Sequence, residues 1–99
     1  MAKGYWIATY RSVSDPQALA RYAKLATPIF EAHGGRFLAR GSPARVYEAA
    51  EAQRCVVIEF PSVAAAISMY ESPEYREARS VLKGAAEREI RIVEGIEHS

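Results

Sequence analysis

Two short segments dominate what this sequence can become. Tyr5-Trp6-Ile7-Ala8-Thr9-Tyr10 and Arg54-Cys55-Val56-Val57-Ile58-Glu59-Phe60 are aromatic and β-branched, so each reads as a strand. Neither alternates cleanly between apolar and polar. In the first, Tyr5 and Ile7 point one way while Trp6, Ala8 and Tyr10 point the other. In the second, Cys55 and Val57 oppose Val56, Ile58 and Phe60. A strand that is apolar on both faces needs cover on both faces.

The chain encodes cover for one face. Ser14-Asp15-Pro16 is a helix start: a short polar side chain accepts from free amides, and Pro suits the first turn. Leu19, Tyr22, Ala23, Ala26, Ile29 and Phe30 then recur at helical spacing. Thr27-Pro28 predicts a kink or break, and His33-Gly34-Gly35 a stop with Gly34 left-handed. Arg36 to Arg40 reads as a second strand, Gly41-Ser42-Pro43 as a turn, and Val46 and Tyr47 as a continuation of the pairing. Ser62 caps a helix with Val63, Ala66, Ile67 and Tyr70 inward. Ser72-Pro73-Glu74-Tyr75 restarts it, with a buried stripe of Tyr75, Ala78, Val81, Leu82, Ala85 and Ala86. Glu89 to Glu94 is the last strand.

This order, strand, helix, strand, strand, helix, strand, is the split βαβ pattern of an α+β, ferredoxin-like βαββαβ fold. One domain fills residues 1–99. Its antiparallel sheet is expected to hold the first and third strands at its centre, with the helices on one face because each crossover is right-handed. The other face would then expose an apolar patch of roughly several hundred Å2, a size that marks an interface. A two-fold homodimer with sheets packed face to face is the simplest cover. Composition agrees. Hydrophobic residues make up 49% of the chain, but 18 are Ala and only four are Leu, a thin core for one chain alone.

Other classes are argued against by the same numbers. A net charge of +1 lacks the basic footprint of a nucleic-acid binder. No run approaches the roughly 20 apolar residues of a membrane span. The N-terminal residues lack a signal-peptide pattern, and one cysteine cannot form an internal disulfide, so a cytoplasmic location is the default expectation.

Gly4-Tyr5-Trp6-Ile7, Gly34-Gly35-Arg36-Phe37-Leu38-Ala39-Arg40-Gly41, Val57-Ile58-Glu59-Phe60-Pro61-Ser62, Ser72-Pro73-Glu74-Tyr75 and Ile92-Val93-Glu94-Gly95 stand in an order and spacing that resemble the domain of unknown function 1330 family. The resemblance covers nearly the whole chain. It implies a dimeric α/β barrel and no established reaction. The wider superfamily includes cofactor-independent monooxygenases, muconolactone isomerase-like proteins and haem-dependent enzymes, an analogy at the level of fold. His33 departs from the Tyr that often precedes Gly-Gly in the family.

Several residues carry candidate chemistry. Glu59, on an apolar strand, must be paired, hydrogen-bonded or protonated, which makes it either a general base or the partner of an Arg. Arg36 lies nearer to it in the hairpin than Arg40, which leaves Arg40 as an anion-binding group or a solvated edge charge. Tyr75 and Arg79, four apart, share a helix face and offer a hydroxyl and a cation to an acidic ligand, or else Tyr75 is core. Trp6, with Tyr10, Tyr22 and Tyr70, lines an aromatic pocket or packs the core. Cys55 reads as a small buried hydrophobe. His33 suits a helix C-terminus, and neither it nor His98 has partners at metal-ligand spacing, so no metal or other cofactor is expected.

The sequence thus predicts a homodimer that binds a small acidic or aromatic metabolite between sheet and helices. It leaves open whether such a protein is a cofactor-free enzyme. A non-catalytic dimerisation or interaction protein, and a cofactor-independent monooxygenase, are the alternatives.

Overall fold

Residues 2–97 are described by a computed structural model. Four strands, β1 (Gly4–Val13), β2 (Arg36–Gly41), β3 (Cys55–Phe60) and β4 (Ala86–Glu94), form one antiparallel sheet in the order β2-β3-β1-β4. Helices α1 (Pro16–Ala32), α2 (Val63–Glu71) and α3 (Pro73–Ser80) supply the crossovers. The fold is the expected ferredoxin-like α+β arrangement, with β1 and β3 central. His98, weighed above as a metal ligand, lies outside the described residues.

The two rows of the central strands now have assigned faces. Trp6, Ala8 and Tyr10 of β1 and Val56, Ile58 and Phe60 of β3 are buried beneath the helices. Tyr5, Ile7, Cys55 and Val57 form the uncovered row and stay partly exposed. Helix α1 presents Ala18, Tyr22, Ala26 and Phe30 to the sheet, one residue per turn. Asp15 starts it: its carboxylate accepts from the amides of Gln17 and Ala18, both at 3.1 Å.

Three local readings change. Pro28 lies inside α1 without ending it. A single Pro removes one amide donor, and the buried face of the helix continues through Phe30. Val46 and Tyr47 join no strand, and Tyr47 is 70% exposed. The last strand begins at Ala86, three residues before Glu89, while α3 stops at Ser80 and Val81 to Ala85 form turns. Gly84, with φ of 76°, is the left-handed residue that turns the chain into β4.

Ser72 links α2 to α3 with one buried hydroxyl. It donates to the Met69 carbonyl at 2.8 Å and accepts from the Tyr75 amide at 3.2 Å. The same residue therefore closes one helix and caps the next, and it fixes the direction in which Tyr75 leaves the backbone.

Candidate functional site

The extra residues at the start of β4 bring Arg88 onto the helix-facing row. Arg88, Ile90 and Ile92 stand opposite Tyr10, Ala8 and Trp6 of β1. Arg88 is the cation in that otherwise apolar row. Its Nη1 donates to the hydroxyls of Tyr10 at 3.3 Å and Tyr22 at 3.1 Å, and its Nη2 donates to Tyr75 at 2.8 Å. The guanidinium carbon lies 4.9 Å from the Tyr22 ring centre and 5.7 Å from that of Trp6. Tyr22 and Tyr75 also share a hydrogen bond, hydroxyl to hydroxyl, at 2.5 Å.

Each tyrosine comes from a different element. Tyr10 is on β1, Tyr22 on the inward stripe of α1, and Tyr75 on the first turn of α3. All three side chains are buried. Burial pushes the ionisation of Tyr22 and Tyr75 upward, so both phenols remain neutral at physiological pH. Burial opposes the charge on Arg88, the surrounding tyrosine oxygens favour it, and the net shift is upward. Arg88 is thus a charged group held by neutral dipoles. Among the described ion pairs none involves Arg88.

Counting hydrogens shows what the cluster lacks. A guanidinium has five N–H donors and each phenol has one. Three guanidinium protons and one phenol proton are used inside the cluster. Two guanidinium and two phenol protons are left with no described acceptor. The Tyr22–Tyr75 pair spans Nη1 and Nη2, the end of the guanidinium, so the unused guanidinium donors lie along its Nε and Nη2 edge. That edge matches the two oxygens of a carboxylate. The indole N–H of Trp6 is likewise buried without an acceptor.

Arg88 opens onto solvent between the helices and β4. On one side, Ile67, Tyr70, Ile90 and Ile92 line a hollow of about 530 Å3, with the Glu71 carboxylate at its border. On the other, Arg76, Arg79 and Lys83 line a hollow of about 620 Å3. Arg88 and Tyr70 belong to both, so the two form one cleft.

Trp6 and Tyr75, singled out in the sequence, meet at Arg88. Arg79 stands in the same cleft, 4.8 Å from the Tyr70 ring centre. Arg40 does not join them. It lies over Phe37 at 5.0 Å and borders a small cavity of about 50 Å3 beneath α1, which it shares with Trp6, Tyr10 and Tyr22 but not with Tyr75 or Arg79. Glu59 lies on the uncovered face, where it accepts from Arg36 and from the Tyr5 hydroxyl, both at 3.1 Å. Arg88 itself was missed because the last strand was started one residue too late to contain it. The signal was present: Arg88, Ile90 and Ile92 alternate, and a cation heads an apolar row.

Among the described residues no three His, Cys, Asp or Glu side chains stand together as a metal site, and no helix is long and apolar enough to cross a membrane.

The fold places the chain among ferredoxin-like α+β proteins. A protein of unknown function from Rhodopseudomonas palustris is 21% identical, with a TM-score of 0.74 over 98% of this chain and 85% of its own. SnoaB, a cofactor-independent oxygenase from Streptomyces nogalater, is 9% identical, with a TM-score of 0.70 over 99% of this chain and 97% of its own. A dimeric ferredoxin-like protein of unknown function from Thermobifida fusca is 14% identical, with a TM-score of 0.60 over 93% of this chain and 90% of its own. No curated protein matches. Within that class, residues 3–96 match the family model described as domain of unknown function (DUF1330), and the chain belongs to that family.

Proposed function

We propose that this protein is a homodimer that binds a small organic acid in the cleft between α2, α3 and β4. The carboxylate sits on the Nε and Nη2 edge of Arg88, and the apolar body lies along Ile67, Tyr70, Ile90 and Ile92. One observation carries this reading: a part-buried guanidinium is hydrogen-bonded to three phenols, with unused donors and no carboxylate paired with it. Such a cation has had much of its water removed without receiving a counter-charge, and an anionic ligand supplies one. Apolar walls with a few convergent polar groups are the usual make-up of a small-molecule site. The phenols are held neutral, so they orient Arg88 as hydrogen-bonding groups and do not act as bases.

The dimer follows from the uncovered sheet face. Tyr5, Ile7, Cys55 and Val57 are apolar or nearly so, and dimeric relatives share the fold. Glu59, with Arg36 and Tyr5, borders that interface in this reading. It has no part in the ligand site.

Trp6 is the sole tryptophan and lies beside Arg88, so its fluorescence reports on the cleft. Titration with hexanoate or benzoate is expected to change that signal saturably in the wild type and not in Arg88→Met. Calorimetric titration checks the same two proteins. Absence of binding to the wild type, or equal binding by Arg88→Met, overturns the reading.

A further inference from the structure

Beyond Arg88, the cleft carries a second set of cations without counter-charges. Arg79 lies over Tyr70, and its Nε–H is buried with no acceptor. Leaving a charged donor unsatisfied in this way is unfavourable, so the group is suited to a partner from outside the chain. Arg76 and Lys83 border the same hollow and form no described ion pair. The carboxylates along this hollow, Glu87 and Glu89, come from the opposite row of β4. Glu89 is already engaged, by Arg11 at 3.7 Å and Arg91 at 3.4 Å. The hollow therefore keeps an excess of positive charge directly beside the Arg88 site.

Tyr70 and Tyr75 join the two cation sets. Their rings lie 5.2 Å apart. Tyr70 supports Arg79 by its face, and Tyr75 accepts from Arg88 through its hydroxyl. Arg79, Arg88 and Tyr70 all line the same hollow, so one small molecule resting against the Tyr70 ring can reach both guanidinium groups.

We propose that Arg79, with Arg76 and Lys83, forms a second anion subsite, and that the ligand carries two anionic groups, a carboxylate at Arg88 and a second at Arg79. This rests on the acid-binding reading of Arg88 and narrows its ligand to a dianion. Discrimination comes from Arg79: a monoanion leaves its buried donor unpaired, and a dianion satisfies it.

The probes are matched acids: succinate, glutarate and adipate against butyrate, valerate and hexanoate, titrated into the wild-type protein. At least one dicarboxylate is expected to bind about tenfold or more tighter than its partner, the gain of one charge-assisted hydrogen bond. That advantage is expected to vanish in Arg79→Gln, in which each dicarboxylate binds no more tightly than its matched monocarboxylate. Should Arg79→Gln fail to fold, the exposed pair Arg76→Gln and Lys83→Gln is expected to reduce the same advantage. If every monocarboxylate binds as tightly as its dicarboxylate, or the advantage survives these changes, the second subsite is overturned and the Arg88 reading stands. If neither series binds, both are overturned.

Discussion

Tyr22 and Tyr75, 53 residues apart in sequence, meet hydroxyl to hydroxyl, and each oxygen also accepts a hydrogen bond from Arg88. The three groups tie α1 and α3 to the last strand through one polar knot within the apolar layer. Because each member bonds both others, removing one changes what the remaining two are worth. Tyr22→Phe and Tyr75→Phe are each expected to cost about 1–2 kcal/mol, the range for a buried hydrogen bond. The double variant is expected to cost less than the two together. Urea unfolding of the four proteins gives the coupling directly, and strict additivity contradicts the network.

The same phenols predict an alkaline limit to stability. Tyr22 and Tyr75 ionise above their ordinary value of 10.0 in the folded protein because burial penalises the phenolate. Above pH 10.0 the unfolded chain has lost these protons while the folded one keeps them, so the folded state binds more protons and its stability falls as pH rises. Below that value the contribution is fully present. Denaturation midpoints are expected to be unaffected by these groups near neutrality and to drop on going above pH 10.0. The drop is expected to be shallower in the double Phe variant. Absorbance titration is expected to show Tyr22 and Tyr75 ionising above pH 10.0.

Most of the fold is legible in the sequence because its signals are local. Asp15-Pro16 and Ser72-Pro73 mark helix starts through chemistry confined to one turn. The two-sided apolar character of Tyr5–Tyr10 and Cys55–Phe60 identifies the central strands. The site is less legible because it joins distant elements. Trp6 and Tyr75 are visible as aromatic residues on inward faces, yet what makes them a site is Arg88, whose role depends on β4 starting at Ala86. Glu59 attracts attention for lying on an apolar strand, but the parity of β3 places it on the face away from the helices. Parity is readable from sequence. Which parity meets the helices depends on the packing of the whole chain.

Ser72 offers a test of how the site is positioned. Its hydroxyl caps α3 and holds the Tyr75 amide. Ser72→Ala is expected to cost about 1 kcal/mol in stability, the usual value of an N-cap. It is also expected to weaken acid binding, because Tyr75 loses its fixed direction toward Arg88. Ser72→Asp keeps the capping oxygen but adds a charge at a buried position, so it is expected to be worse than Ala. Thermal unfolding and Trp6 fluorescence titration separate the two effects. Unchanged affinity in a folded Ser72→Ala protein removes Ser72 from the positioning of the site.

The uncovered sheet face makes the final prediction. Ile7 pairs with Val57 on β3, and this central pair is flanked by Tyr5 and Cys55 and bordered by the charged Arg36–Glu59 pair. An apolar centre with a charged rim is the anatomy of a protein interface. In a face-to-face dimer, Ile7→Asp places an unpaired carboxylate from each chain in the shared core, at about 3–5 kcal/mol for each uncompensated charge. Sedimentation at micromolar concentration is expected to show a dimer for the wild type and a monomer for Ile7→Asp. Arg91→Ala, at a more exposed position beside Ile7 on β4, is expected to leave the dimer intact. A wild-type monomer would remove the interface from this face. A dimer that survives Ile7→Asp would place its contact elsewhere on the chain.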